Sequence, residues 1–187
     1  SGTNVNIVNS DKTSALMVAA YRDHHDIVQE LLNAKADIPF ADNQQQTALH
    51  YAVLSATPNS CKILAQAGAN SNVVDVNGMT PLMLAARYGH SDCVKALLDY
   101  GAEVDKADSS GWTALYFALP RGRVEIVELL VGKGASLVHQ DKDGWTPLHV
   151  AGSYRATSVY QQLIRLGASK KTKNNEGKTP VQVLKES

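Results

Sequence analysis

One short signature recurs along the chain on a fixed step of 33 residues: Gly78-Met79-Thr80-Pro81-Leu82, Gly111-Trp112-Thr113-Ala114-Leu115 and Gly144-Trp145-Thr146-Pro147-Leu148. The register extends upstream to Ser14-Ala15-Leu16 and Thr47-Ala48-Leu49 and downstream to Thr179-Pro180-Val181, with no insertion or deletion. A second landmark keeps the same step as Gly68-Ala69, Gly101-Ala102, Gly134-Ala135 and Gly167-Ala168, with Lys35-Ala36 in the first cycle. A unit this short cannot enclose a core alone, so each must bury its apolar side against its neighbours.

The physics of one cycle predicts two helices. Thr or Ser at positions 14, 47, 80, 113, 146 and 179 suits an N-cap, and Pro81, Pro147 and Pro180 follow at the first helical position, where the missing N–H costs nothing. Leu82, Ala85 and Ala86 then fall on one helical stripe, as do Leu16, Ala19 and Ala20, with small residues that admit a close neighbour. A second stripe follows as Ile27, Val28, Leu31 and Leu32 in the first cycle and Ile126, Val127, Leu130 and Val131 in the fourth. The glycines at 68, 101, 134 and 167 close it, in the left-handed position after a helix. Asp75-Val76-Asn77-Gly78, Asp108-Ser109-Ser110-Gly111 and Asp141-Lys142-Asp143-Gly144 supply turn residues between cycles. Pro120 predicts an early end to the first helix of the fourth cycle. Lys12, Lys35 and Gln45 stand where other cycles carry glycine.

The period and the segment Thr146-Pro147-Leu148-His149-Val150-Ala151 resemble the ankyrin repeat family over nearly the whole length. The resemblance implies an all-α ankyrin-repeat solenoid of stacked helix-turn-helix units with short projecting β-hairpin loops. It divides residues 1–187, as a single ankyrin-repeat domain, into repeats 9–41, 42–74, 75–107, 108–140 and 141–173, with partial repeats 1–8 and 174–187. Neither end carries an obvious polar cap, so the chain is expected to be a segment of a longer array, or one extended by other domains.

Chemistry-bearing motifs are sparse. His24, His50, His90 and His149 all fall on repeat positions, and the histidine of the first helix is expected to bond the hairpin backbone. His25 and His139 have no partners at metal-ligand spacing, so neither a metal nor a cofactor is expected. Cys61 and Cys93 sit on the second-helix stripe and read as small buried apolar residues, too few for a disulfide framework and compatible with a reducing compartment. Asp23-His24-His25-Asp26 lacks the cysteine of an Asp-His-His-Cys signature. Gly177-Lys178-Thr179 lacks the upstream glycine of a phosphate loop. No catalytic residue is expected, and the chain reads as a non-enzyme.

Charge narrows the partners. Eighteen basic residues balance eighteen acidic ones, which argues against a nucleic-acid grip or a polybasic membrane anchor. No apolar run approaches the roughly 18 residues of a membrane span. The N-terminus has no leader pattern. An intracellular, cytoplasmic location, with the nucleus as an option, is expected. The segment from Arg165 onward carries a net charge of +4, while repeat 75–107 carries −2.

By the resemblance, a protein or peptide partner docks on the concave face formed by hairpin tips and first-helix ends. The residues placed there are Tyr21, Arg22, Met79, Arg87, Tyr88, Trp112, Arg121, Trp145 and Tyr154, rich in the aromatic and arginine types that anchor interfaces. Trp112 and Trp145 either face a partner or pack on their own hairpins. The alternatives are a ligand- or nucleotide-sensing domain, which needs convergent Lys/Arg; a methyl-lysine reader walled by Trp112 and Phe117, which lacks acidic members; and a structural spacer. The isolated domain is expected to be monomeric. Asn72 resembles asparagines hydroxylated in some ankyrin repeats, although structural hydrogen bonding is the stronger account of an Asn there.

Overall fold

The computed structural model describes residues 4–55 and 59–187. Eleven helices occur among them. The first helices of the repeats are α1 (Ala15–Tyr21), α3 (Ala48–Leu54), α5 (Pro81–Tyr88), α7 (Ala114–Ala118), α9 (Pro147–Ser153) and α11 (Pro180–Glu186). The second helices are α2 (His25–Asn33), α4 (Asn59–Gln66), α6 (Ser91–Asp99), α8 (Val124–Gly132) and α10 (Thr157–Arg165). Every first helix begins one residue after the Ser or Thr of the signature, so the N-cap reading holds in all six cycles. The Ser14 hydroxyl accepts from the Met17 amide and that of Thr80 from the Met83 amide, which satisfies donors a helix start otherwise leaves bare. The α7 helix stops at Ala118, five residues long against seven in α9. Pro120 has no N–H to continue it, and Leu119 turns back to the Tyr116 carbonyl instead.

The chain forms two compact units, Ser1–Ala85 with Asp92–Glu103, and Ala86–Ser91 with Val104–Ser187. The first unit's core contains Leu16, Met17, Leu49, Leu64, Leu82 and Leu97; the second's contains Leu115, Tyr116, Leu119, Ile126, Leu130 and Leu163. Each such side chain contributes about 1.5–3 kcal/mol by leaving water.

The loops before the first helices share one device. The side-chain oxygen of Asp42 accepts from the amides two and four residues on, those of Gln44 and Gln46. Asp75, Asp108, Asp141 and Asn174 repeat this pairing at each later cycle. These turns replace paired strands: among the described residues the β pairing is confined to the isolated bridges Val8–Ser14 and Ala41–Thr47. Lys12, Lys35 and Gln45 adopt φ of +61°, +64° and +58°, so they occupy left-handed positions that other cycles give to glycine.

One sequence expectation needs correction. Cys61 and Cys93 are fully buried as expected, but they are not independent apolar fillers: their sulfurs are bonded to each other, with Cα atoms 5.9 Å apart. Their separation of 32 falls one residue short of the repeat, so α4 and α6 bring different stripe positions together within the first unit. The bond also removes the ground on which the cysteines were assigned to a reducing compartment.

Candidate functional site

Four of the expected surface residues converge in the second unit. Arg87 at the end of α5, Trp112 at a loop tip, Arg121 in the turn after α7 and Tyr154 at the end of α9 line one cavity of about 340 Å³ with Phe117 and Pro120. The short α7 matters here, because Pro120 brings the chain into its turn early and becomes part of the wall. Trp112 is half-buried and held from several sides. Its amide donates to the Asp108 carboxylate at 2.8 Å, its indole N–H donates to Asp141 at 3.0 Å, and its ring lies 5.8 and 5.5 Å from those of Tyr116 and Phe117. With its one donor satisfied, Trp112 offers a rigid apolar ring to the cavity.

Tyr116 anchors this corner from below. Its hydroxyl lies 2.7 Å from both the His139 and Trp145 carbonyls, and burial pushes its phenol well above the ordinary range. Arg123 donates to the Tyr88 carbonyl at 3.3 Å, beside Gly89, where the α5 helix ends. The cavity itself is lined by two guanidinium groups and no carboxylate. Neither the Arg87 nor the Arg121 guanidinium has a hydrogen bond or ion pair among the described residues. A cation-rimmed aromatic pocket of this kind can hold an anion beside an apolar group.

The other expected residues lie elsewhere. Tyr88 is 46% exposed and stacks on His90 rather than lining the cavity. Trp145 is half-buried, 6.0 Å from the His149 ring, so it packs on its own helix. Tyr21 and Arg22 belong to the first unit, where Tyr21 meets Tyr51 edge-on at 6.3 Å. Met79 departs from the exposed tip expected of it. It is 7% exposed, because its backbone is tied to Asp75 and its carbonyl to His50. Asn72 uses both ends of its amide, donating to the Gly101 carbonyl and accepting from the Glu103 amide. Phe117, known in the sequence only as a possible cage wall, and Asp141, visible there only as a turn residue, complete the site.

The histidines take the structural posts the repeat implies. In His50, Nδ1 accepts from the Thr47 amide at 3.2 Å, so the proton sits on Nε2, which donates to the Met79 carbonyl at 3.1 Å. His149 repeats this with Thr146 and the Lys178 carbonyl. Burial lowers the pKa of both below that of a free imidazole. His139 likewise reaches the Gly111 carbonyl at 2.8 Å. Among the described residues no group of three or more His, Cys, Asp or Glu gathers as a metal would require, and no helix is long and apolar enough to cross a membrane.

A family model of ankyrin repeats, three copies long, matches residues 1–75 and 58–141. The chain belongs to the ankyrin repeat family, a family that is generally non-catalytic and generally binds protein partners. It is 35% identical over 81 residues to dauer abnormal formation protein 25 of Caenorhabditis elegans, which covers 43% of this chain and 21% of that protein. It is 35% identical over 88 residues to the tyrosine-protein kinase Shark of Drosophila melanogaster, covering 46% and 9%. Inversin of Gallus gallus is 36% identical over 78 residues, covering 42% and 7%. The chain thus spans between 7% and 21% of the length of these relatives.

Proposed function

We propose that the chain is a non-catalytic module that binds a protein or peptide partner on the face carrying its loop tips and first-helix ends. The observation that supports this is the convergence of Arg87, Trp112, Arg121 and Tyr154 on one cavity, since a rigid aromatic flanked by arginines is the composition of an interface anchor. Tyr88 extends the surface beside it, and Tyr21 and Arg22 form a separate exposed patch. The two arginines oppose an alkylammonium guest, which leaves the methyl-lysine alternative without support. On this reading the five 33-residue repeats form one domain that acts as an adaptor or scaffold and is monomeric in isolation. Asn72 is open to hydroxylation only if the two hydrogen bonds of its side-chain amide break first.

We place the protein inside the cell, in the cytoplasm or nucleus, on the family resemblance. The Cys61–Cys93 bond argues for an oxidising setting instead. Alkylation of thiols in denaturant at the moment of lysis tests this, since both sulfurs are buried in the fold: two labelled cysteines support the intracellular assignment, and none overturns it.

The binding surface is tested by affinity capture followed by calorimetry. Trp112→Ala should cost about 2 kcal/mol or more in affinity, roughly thirtyfold. Lys95→Ala and Glu128→Ala, on exposed second-helix faces, should stay within about 0.5 kcal/mol. Loss of binding in these two with retention in Trp112→Ala would reassign the surface.

A further inference from the structure

We propose that the cavity of the second unit selects an acidic peptide segment, seating one of the peptide's carboxylates between Arg87 and Arg121 and an adjacent apolar side chain on Trp112. This rests on the protein-binding reading above and names the chemistry of the partner.

Three observations carry it. The cavity is lined by two arginines, by Trp112, Phe117 and Pro120, and by Tyr154, with no acidic side chain among them. A field of one sign at the mouth of an apolar pocket steers an oppositely charged partner and rejects a like-charged one. Second, both guanidinium groups are exposed and without a partner among the described residues, whereas Arg123 nearby is committed to the Tyr88 carbonyl. Their donor forks are therefore free to pair with the two oxygens of a carboxylate, the geometry arginine matches best. Third, the Trp112 indole has given its only donor to Asp141. It can offer a guest nothing but its ring, so the group beside the carboxylate must be apolar or aromatic. Asp141 does not line the cavity, and its two oxygens are engaged by that indole and by the Asp143 and Trp145 amides. The tight support of the ring lowers the ordering cost of binding.

The test uses the whole chain and a displayed library of random twelve-residue peptides. Selected peptides should carry Asp or Glu within one or two positions of Leu, Phe, Tyr or Trp. The affinity of the best of them, by calorimetry, should fall about tenfold for Arg87→Ala and again for Arg121→Ala. It should fall similarly when the peptide's acid is replaced by the amide, and it should weaken with added salt. The double variant Arg87→Glu/Arg121→Glu should reject the acidic peptide and bind its lysine-substituted counterpart, an exchange that misfolding cannot produce. Peptides that bind, lose affinity in Trp112→Ala and carry no acid would overturn this inference and leave the protein-binding reading intact. Failure to select any peptide sensitive to Trp112→Ala would overturn both. Displacement of the acidic peptide by adenosine monophosphate at micromolar concentration would reassign the cavity to a nucleotide and overturn the inference.

Discussion

The second helices of the first and fourth repeats carry the same apolar stripe and meet different fates. In α8, of the second unit, Ile126, Val127 and Leu130 are buried; in α2, of the first, only Val28 is, and Ile27 is 47% exposed. Within its own unit the α8 stripe packs against α7 and α10, whereas beside α1 and α2 the described residues 4–8 leave an apolar recess lined by Val5, Ile7, Ala15 and Leu31. Equal sequence therefore yields unequal burial, because in a stack the neighbour supplies the other half of the core. The two units also differ in how they are held. The first has the Cys61–Cys93 bond and four non-glycine residues in left-handed positions, Lys12, Asp23, Lys35 and Gln45; the second has Arg155 alone in that state, with glycine at 111, 134, 144 and 167, and the hydroxyl of Tyr116 spanning two loops.

The largest expected effect breaks that comparison at its root. Ile126→Ala should lose about 2–5 kcal/mol as a core truncation, while Ile27→Ala should lose under about 1 kcal/mol. Urea unfolding followed by circular dichroism measures both, and similar losses would mean that the two stripes are equally covered.

Reduction of Cys61–Cys93 should cost the first unit about 2–4 kcal/mol, since the bond closes a loop of 32 residues in the unfolded chain. Both tryptophans lie in the second unit, so their fluorescence reports that unit while circular dichroism reports the whole chain. Under dithiothreitol the urea midpoint seen by dichroism should drop first. A fall of equal size in both signals would show that the units unfold together.

A third effect depends on pH. Because burial depresses the folded pKa of His50, its contribution is complete above the unfolded value near 6.5 and is lost as pH falls, when the unfolded chain takes up the proton more readily. The slope is at most about 1.4 kcal/mol per pH unit for this group. Met17 and Met83 fill the same post, their sulfurs accepting the Ser14 and Thr80 amides, so His50→Met keeps the packing and should flatten the profile between pH 7.5 and 5.5. An unchanged profile would assign the acid sensitivity to another group.

The smallest effect concerns the turns. Lys35→Gly should gain a few tenths to about 1 kcal/mol, because glycine enters the left-handed region without a Cβ penalty. The corresponding Gly134→Lys in the second unit should lose a similar amount, and thermal melts of the pair sharpen the contrast between the units.

Much of this was legible in the chain. Thr47, Thr80 and Thr146 mark helix starts by a cap that acts within three residues, and Asp75, Asp108 and Asp141 mark loops by bonds to the next few amides. Pro120 foretold the short α7 for the same local reason. The residue types of the candidate site were legible as well, since they fill positions the repeat leaves free. Their grouping was not. Arg87 and Arg121 are 34 residues apart, and the sequence gives no sign that they share a cavity with Tyr154, or that Trp112 lines it while Trp145, in the same post one repeat on, does not.

The sequence by itself determined the periodic elements, their caps, their turns and the family, because those rest on interactions spanning a few residues and repeated on a fixed step. The tertiary structure decided which stripe is covered, which cysteines meet and which side chains line a common cavity. Each of these depends on the rotation and approach of helices a full repeat apart, and a shift of one residue, about 100° around a helix, changes the partner. Cys61 and Cys93 illustrate it: at 32 residues apart rather than 33, they leave equivalent positions and face one another.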